Sequence, residues 1–223
     1  MQQRLKKIVV LGPESTGKSS LCAQLAIHYK TIWCPEFARQ YLLEHGMDYS
    51  FADLLTIAQG QLHLEESYER KLVGNGEALV VNSWVQTPNR LLITNIEPKI
   101  GADLNSKLSP LAPPPPPLPT PHSLFIDTDM YVMKVWCEFV FGQCHTFILD
   151  QIAERRYDLY LLCKPDLPWV KDELREYPDL ESREKLYLIY KDMLINQATP
   201  WAEISGGYEE RLSKAITAVD AIL

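Results

Sequence analysis

Eight consecutive residues, Gly12-Pro13-Glu14-Ser15-Thr16-Gly17-Lys18-Ser19, match the pattern G-x-x-x-x-G-K-[ST] without a mismatch. The chemistry this spacing supports is phosphate binding. Gly12 and Gly17 let the backbone turn its N–H groups inward and approach phosphate oxygens closely. The N-terminus of a following helix adds partial positive charge at the same point. Lys18 is expected to bridge the terminal phosphates of a nucleoside triphosphate, and the Ser19 hydroxyl to ligate Mg²⁺. The expected nucleotide is ATP with Mg²⁺, and its expected contacts are Gly12, Glu14, Ser15, Thr16, Gly17, Lys18, Ser19 and Ser20. An accidental glycine loop is the bland reading, and the hydrophobic run before it and the helical pattern after it both count against it.

Three further groups carry candidate chemistry. Leu124-Phe125-Ile126-Asp127-Thr128-Asp129 is an apolar run ending in carboxylates. A strand of that kind delivers its acid to the carboxyl edge of a parallel sheet, where ligands bind. Asp127 reads as the acid of the Mg²⁺ shell. Asp129 has two readings: it faces an acceptor hydroxyl, or it caps the helix that follows. In Pro35-Glu36-Phe37-Ala38-Arg39, Glu36 and Arg39 lie one helical turn apart. They either hold an acceptor or pair with each other as a solvated first turn. The stretch from Pro165 to Arg175 contains Trp169, Asp172 and Arg175. Trp169 either stacks on a flat, cationic ring or merely packs its loop, with Asp172 beside it as a substrate contact. Arg175, together with Arg183, has the reach of a lid over a transferring phosphoryl group. Either Asp129 or Glu36 would take the acceptor proton.

The elements that must position these residues follow from periodicity. Lys6 to Leu11 is a short β-branched run, expected as a buried parallel strand. A helix follows from Lys18 to Tyr29, with Leu21, Leu25 and His28 on one face. Further strands are expected at Thr31 to Cys34, at Ala78 to Val81 or Leu124 to Ile126, at Tyr157 to Cys163 and at Trp201 to Ile204. Of the competing pair, 124–126 is favoured because it ends in the acid. Helices are expected at Glu36 to Glu44 with Pro35 opening it, and from an N-cap at Ser50 to about Val73. Others cover Asp129 to Phe141, His145 to Arg155, Glu181 to Asn196 and Tyr208 to Leu223. The alternation predicts an α/β fold, a P-loop three-layer sandwich whose central parallel sheet carries helices on both faces.

Composition bounds the remaining possibilities. A 223-residue chain with 46% apolar and 23% charged residues fits one globular domain. A net charge of −7 speaks against a nucleic-acid partner, which requires an excess of Lys and Arg. No run reaches the ~18 apolar residues of a membrane span, and Ile8 to Leu11 is too short for a signal core, so a cytoplasmic protein is expected. Five scattered cysteines read as free thiols, with Cys137, Cys144 and His145 too sparse for a zinc site. Residues 82–122 interrupt the alternation: 8 of the chain's 16 prolines fall in 110–121. The segment is expected to be a mobile surface insertion within a single domain spanning 1–223.

The motifs, in this order, resemble the ribosylnicotinamide kinase domain of bacterial NAD-biosynthesis regulators and related stand-alone P-loop proteins. The residues that carry the likeness are GPESTGKSSL (12–21), PEFARQYL (35–42), LFIDTDMYVMKVWCEFVFG (124–142), RYDLYLLCKPDLPWVKDELRE (156–176) and EISGGYEERLSKAI (203–216). The resemblance implies transfer of a phosphoryl group from ATP to the 5′-hydroxyl of nicotinamide riboside. It implies Lys18 and Ser19 as phosphate and Mg²⁺ ligands and Asp127 and Asp129 as Mg²⁺ and substrate residues. It also implies Trp169 against the nicotinamide ring and Arg175 in the lid. Two alternatives stand beside it: a kinase for another nucleoside, and a regulatory ATPase in which the proline-rich segment docks a partner.

Overall fold

The computed structural model describes residues 4–73 and 123–223. Five parallel strands form one sheet: β1 (Lys6–Leu11), β2 (Trp33–Cys34), β3 (Ser123–Asp127), β4 (Leu159–Cys163) and β5 (Trp201–Ile204), in the order β2-β3-β1-β4-β5. Seven helices accompany them: α1 (Lys18–His28), α2 (Phe37–His45), α3 (Phe51–Val73), α4 (Met130–Phe141), α5 (Thr146–Glu154), α6 (Leu180–Ile195) and α7 (Tyr208–Asp220). The strands are apolar on both faces because both faces are covered. Ile8, Val10, Phe125, Leu161 and Cys163 pack with α1 and α7. Val9, Leu11, Leu124, Ile126, Tyr160 and Leu162 pack with α4 and α6. A third cluster joins α2, α3, α4 and α5 through Ala38, Leu54, Ile57, Met133 and Ile148.

From central β1 the chain first goes to the edge strand β2 and returns inward through β3, then crosses to β4 and β5 on the other side. The reversal leaves a crevice at the carboxyl end of β1, which is the ligand position of open α/β sheets. The register sets Val10 of β1 opposite Asp127 of β3, so the acid stands level with the start of the P-loop. The expected strand at 124–126 is therefore part of the sheet, whereas 78–81 and the insertion 82–122 lie outside the described residues.

Several local expectations change. The second strand shortens to Trp33–Cys34. Pro35 precedes α2 rather than opening it, and Glu36 is the N-cap, with φ −70° and ψ 118°. His28 is exposed, while Cys22 and Ala26 join Leu21 and Leu25 on the buried face of α1. Ser50 does cap α3: its hydroxyl accepts from Asp53 N at 3.4 Å, and Asp53 Oδ2 accepts from Ser50 N at 2.7 Å, a reciprocal capping box. The buried face of α3 also carries two polar residues, Gln61 and Glu65. Glu65 is 1% exposed and is satisfied by Lys7 Nζ at 3.3 Å, Arg155 Nη1 at 3.2 Å and Tyr157 Oη at 2.9 Å. It joins α3, α5, β1 and the approach to β4.

Candidate active site

The loop after β1 takes the conformation its glycines permit. Gly12 has φ 140°, and a Cβ there would lie 2.6 Å from the Cys163 carbonyl oxygen, so no other residue fits. Gly17, at φ 79°, is the N-cap of α1 and starts the helix without a side-chain cap. The N–H groups of its first turn are thereby available to an anion. Buried Thr16 closes the loop by donating its hydroxyl to Pro13 O at 2.8 Å. Lys18 Nζ donates to the same carbonyl at 3.0 Å, which leaves its ammonium folded across the loop. Ser20 follows on the exposed side of α1.

The Ser19 hydroxyl donates to Asp127 Oδ2 at 2.5 Å. Asp127 is 1% exposed, and its other oxygen, Oδ1, has no hydrogen-bond partner. Burial, with repulsion from Glu36, raises its carboxyl to about 6, against the pull of Lys18 and the Ser19 hydroxyl. Next to it Thr128 adopts φ 78°, a costly conformation for a β-branched residue, and its buried hydroxyl is also unpartnered. Ser19 and Asp127 thus present oxygens of the kind Mg²⁺ prefers, one of them an unused carboxylate oxygen. Among the described residues no cluster of three or more His, Cys, Asp or Glu forms a metal cage. A Mg²⁺ here would complete its shell from phosphates and water. His145, once considered with Cys144 as a ligand, instead stacks on Phe51 at 3.7 Å and bonds its carbonyl at 2.8 Å.

Of the two readings of Asp129, the structure realises the cap. Oδ1 accepts from Tyr131 N at 3.0 Å and Val132 N at 3.3 Å at the start of α4, and the residue is 1% exposed. Burial raises its carboxyl to about 7, and those N–H donors and the Tyr160 hydroxyl pull the other way. The other candidate for the acceptor proton, Glu36, lies on the turn before α2. The turn bearing Glu36 is held by Gln61, itself 1% exposed: Oε1 accepts from Phe37 N at 2.7 Å, and Nε2 donates to Pro35 O at 3.4 Å. Phe37 lies flat on Gly60, where a Cβ would come within 2.2 Å of the ring.

Glu36 and Arg39 do not pair. Arg39 forks onto Asp172 with contacts of 3.0 and 3.2 Å, so two predicted substrate contacts are spent on each other in this conformation. That ion pair holds Asp172 below the usual carboxylate range. The loop between β4 and α6 is docked on the P-loop by the latter's own side chains. Glu14 accepts from Trp169 Nε1 at 3.3 Å, Glu176 N at 2.9 Å and Tyr177 N at 2.7 Å. The Ser15 hydroxyl accepts from Val170 N at 3.0 Å and Arg175 Nη1 at 3.3 Å, and Arg175 also donates to Val170 O. Trp169 thus reaches the P-loop, and Arg175 is engaged inside the loop rather than extended over it.

One residue that sequence reading passed over organises this edge. Arg211 of α7 is 2% exposed. Its guanidinium donates to Thr16 O at 3.2 Å, Ile204 O at 3.3 Å, Lys164 O at 3.0 Å and Gly206 O at 2.7 Å, and pairs with Asp166. It ties the P-loop to the loops after β4 and β5. Its only sequence signal is an arginine in line with Ala215 and Val219, on the buried side of α7.

Comparison with known proteins places the chain in a family. The sequence fits the model of an AAA domain family over residues 7–82 and 119–211. The chain belongs to that family. It is also similar to the trifunctional NAD biosynthesis/regulator protein NadR of Escherichia coli K12, at 24% identity over 190 residues, covering 85% of this chain and 36% of NadR. The Salmonella typhimurium NadR is 22% identical over 220 residues, covering 98% of this chain and 43% of NadR. The chain therefore spans less than half the length of these relatives. Among solved structures, a NadR protein in complex with NR superposes with TM-score 0.64 at 19% identity, over 98% of this chain and 49% of that one. A NadR protein in complex with NAD and AMP-PNP gives TM-score 0.59 at 18% identity, with the same coverage. The shared fold is a parallel α/β P-loop sandwich. No helix among the described residues is long and apolar enough to cross a membrane.

Proposed function

We propose that this protein transfers the terminal phosphoryl group of MgATP to the 5′-hydroxyl of nicotinamide riboside, giving nicotinamide mononucleotide. The observation that carries the reading is the Ser19–Asp127 pair at the P-loop, with a buried, unused carboxylate oxygen and Glu36 close by. The likeness to NadR, one structure of which holds NR and another AMP-PNP, supports the choice of substrates.

In this account the loop's N–H groups and the amino end of α1 hold the phosphates, and Lys18 exchanges Pro13 O for a phosphate oxygen. Ser19 and Asp127 would hold Mg²⁺, which when bound neutralises charge on the β- and γ-oxygens. Glu36 accepts the proton of the attacking hydroxyl. Trp169 offers its indole face, which touches no other described ring, to the cationic nicotinamide. Catalysis would come chiefly from positioning and charge neutralisation. The test is ADP release from MgATP with a panel of nucleosides, using Lys18→Ala as control. Release stimulated selectively by nicotinamide riboside and lost in the control supports the reading; Lys18-dependent release indifferent to every acceptor refutes it.

A further inference from the structure

Arg183 is the one basic side chain among the described residues that is enclosed with buried guanidinium nitrogens left without partners. It is 5% exposed, yet neither Nε nor Nη1 has a hydrogen-bond partner. Its counterpart Arg211 is equally enclosed and fully employed. A guanidinium cannot shed its charge, and burying its donors unmade is costly. Asp179, the N-cap of α6, feels the charge, but the unmade donors are explained by an acceptor that arrives with a ligand.

The position of Arg183 says which ligand. It lies in the first turn of α6, on the buried stripe that continues through Leu186, Tyr187, Tyr190 and Leu194. This stripe packs on Leu11 of β1 and Leu162 of β4. α6 starts shortly after Tyr177, whose N–H is held by Glu14 of the P-loop, so its amino end is fixed at the loop. Side chains on a helix lean toward its amino end, here toward the ligand edge of the sheet. Further down the same stripe burial raises the Tyr190 hydroxyl, and Asp129 and Glu36 lie close enough to add to that rise. Arg183 stands about two turns nearer the amino end of α6 than Tyr190.

We infer that Arg183 is the arginine that binds the terminal phosphoryl group of the nucleotide, the role that the sequence offered jointly to Arg175 and Arg183. Arg175 is already committed to Ser15 and Val170, whereas Arg183 has free donors on the sheet-facing side. This inference rests on the nucleotide reading of the P-loop.

The experiment is thermal unfolding and equilibrium titration of the full chain with ADP and with a non-hydrolysable ATP analogue, each with Mg²⁺. The proteins compared are wild type, Arg183→Met, Arg183→Lys and Lys18→Ala. Removing buried donors that lack hydrogen-bond partners should leave the Tm of ligand-free Arg183→Met equal to or above that of wild type. Its affinity for the ATP analogue should fall about tenfold or more, as expected for loss of a charge-assisted hydrogen bond, while ADP affinity changes far less. Arg183→Lys, which keeps the charge but not the fork, should fall between, and remains informative if the methionine variant does not fold. A lowered ligand-free Tm with equal losses for both nucleotides would make Arg183 a structural residue and overturn the inference. Unchanged analogue binding in both variants would overturn it as well. Absence of nucleotide binding by wild type would instead sink the nucleotide reading and this inference with it.

Discussion

Two of the deeply buried carboxylates among the described residues are treated in opposite ways. Glu65, on α3, and Asp127, at the end of β3, are each 1% exposed. Glu65 is met by an ammonium, a guanidinium and a phenol hydroxyl. Asp127 is met by one serine hydroxyl, keeps an oxygen without a partner, and faces a second carboxylate. Next to it stands a strained Thr128, whose buried hydroxyl is also without a partner. A folded chain satisfies its buried polar groups nearly everywhere. Where it leaves an acid and the neighbouring hydroxyl unsatisfied beside a glycine loop, we assign the missing partners to a ligand. On this reading the Glu65 network serves stability and the Asp127 edge gives up stability for binding.

The contrast can be broken by exchanging the fates of the two acids. Lys18→Ala and Asp127→Asn should each lower Mg²⁺-dependent ADP release by roughly 10²-fold or more, the scale of losing a preorganised electrostatic contact; steady-state assays under saturating acceptor check this. Glu65→Leu should strip the counter-charge from Lys7 and Arg155 and cost about 3–5 kcal/mol. That lowers Tm by roughly 10 °C for a domain of this size, with residual activity per folded molecule retained at low temperature.

Asp127→Asn should act on stability in the other direction. The carboxyl of Asp127 is raised from 3.8 to about 6, so the folded state holds its proton more tightly than the unfolded chain. Its contribution is fully favourable below about pH 4, is lost as pH rises toward 6, and stays lost above. Measured with a chelator present, the Tm advantage of Asp127→Asn over wild type should grow from pH 4 to pH 6 and then level off. The corresponding stability difference at the plateau should be on the order of 2–3 kcal/mol. An advantage that shrinks with rising pH contradicts the assigned environment. Among the smallest effects, Arg39→Ala removes a half-exposed pair with Asp172 and should change stability by about 1 kcal/mol or less. If Arg39 also contacts substrate, KM for the acceptor rises while Tm hardly moves.

What could be read in the sequence was whatever is local. The P-loop, the β3 run ending in Asp127 and the capping box at Ser50 each complete their logic within a few residues. The cap reading of Asp129 was available too, and only the fold chose it over the acceptor reading. Pairings across the chain were not legible. Arg39 takes Asp172, 133 residues away, instead of Glu36. Arg211 reaches Thr16 across 195 residues. Gln61 fixes the Glu36 turn from the middle of a helix whose apolar pattern gave no reason to single it out. Nothing in the sequence singled out Thr128, whose φ is 78°, because backbone strain leaves no mark on composition. The insertion at 82–122 is unmatched by the AAA family over 83–118. Its expected role as a spacer remains a proposal from composition.

The most direct test of the central claim, that the unsatisfied edge is a Mg²⁺-nucleotide site, is titration of ATP into wild type and Asp127→Asn with and without Mg²⁺. The account predicts that Mg²⁺ strengthens binding to wild type by about tenfold or more and does little for the variant, which still folds. Equal Mg²⁺ dependence in both proteins, or no ATP binding by wild type, would contradict it.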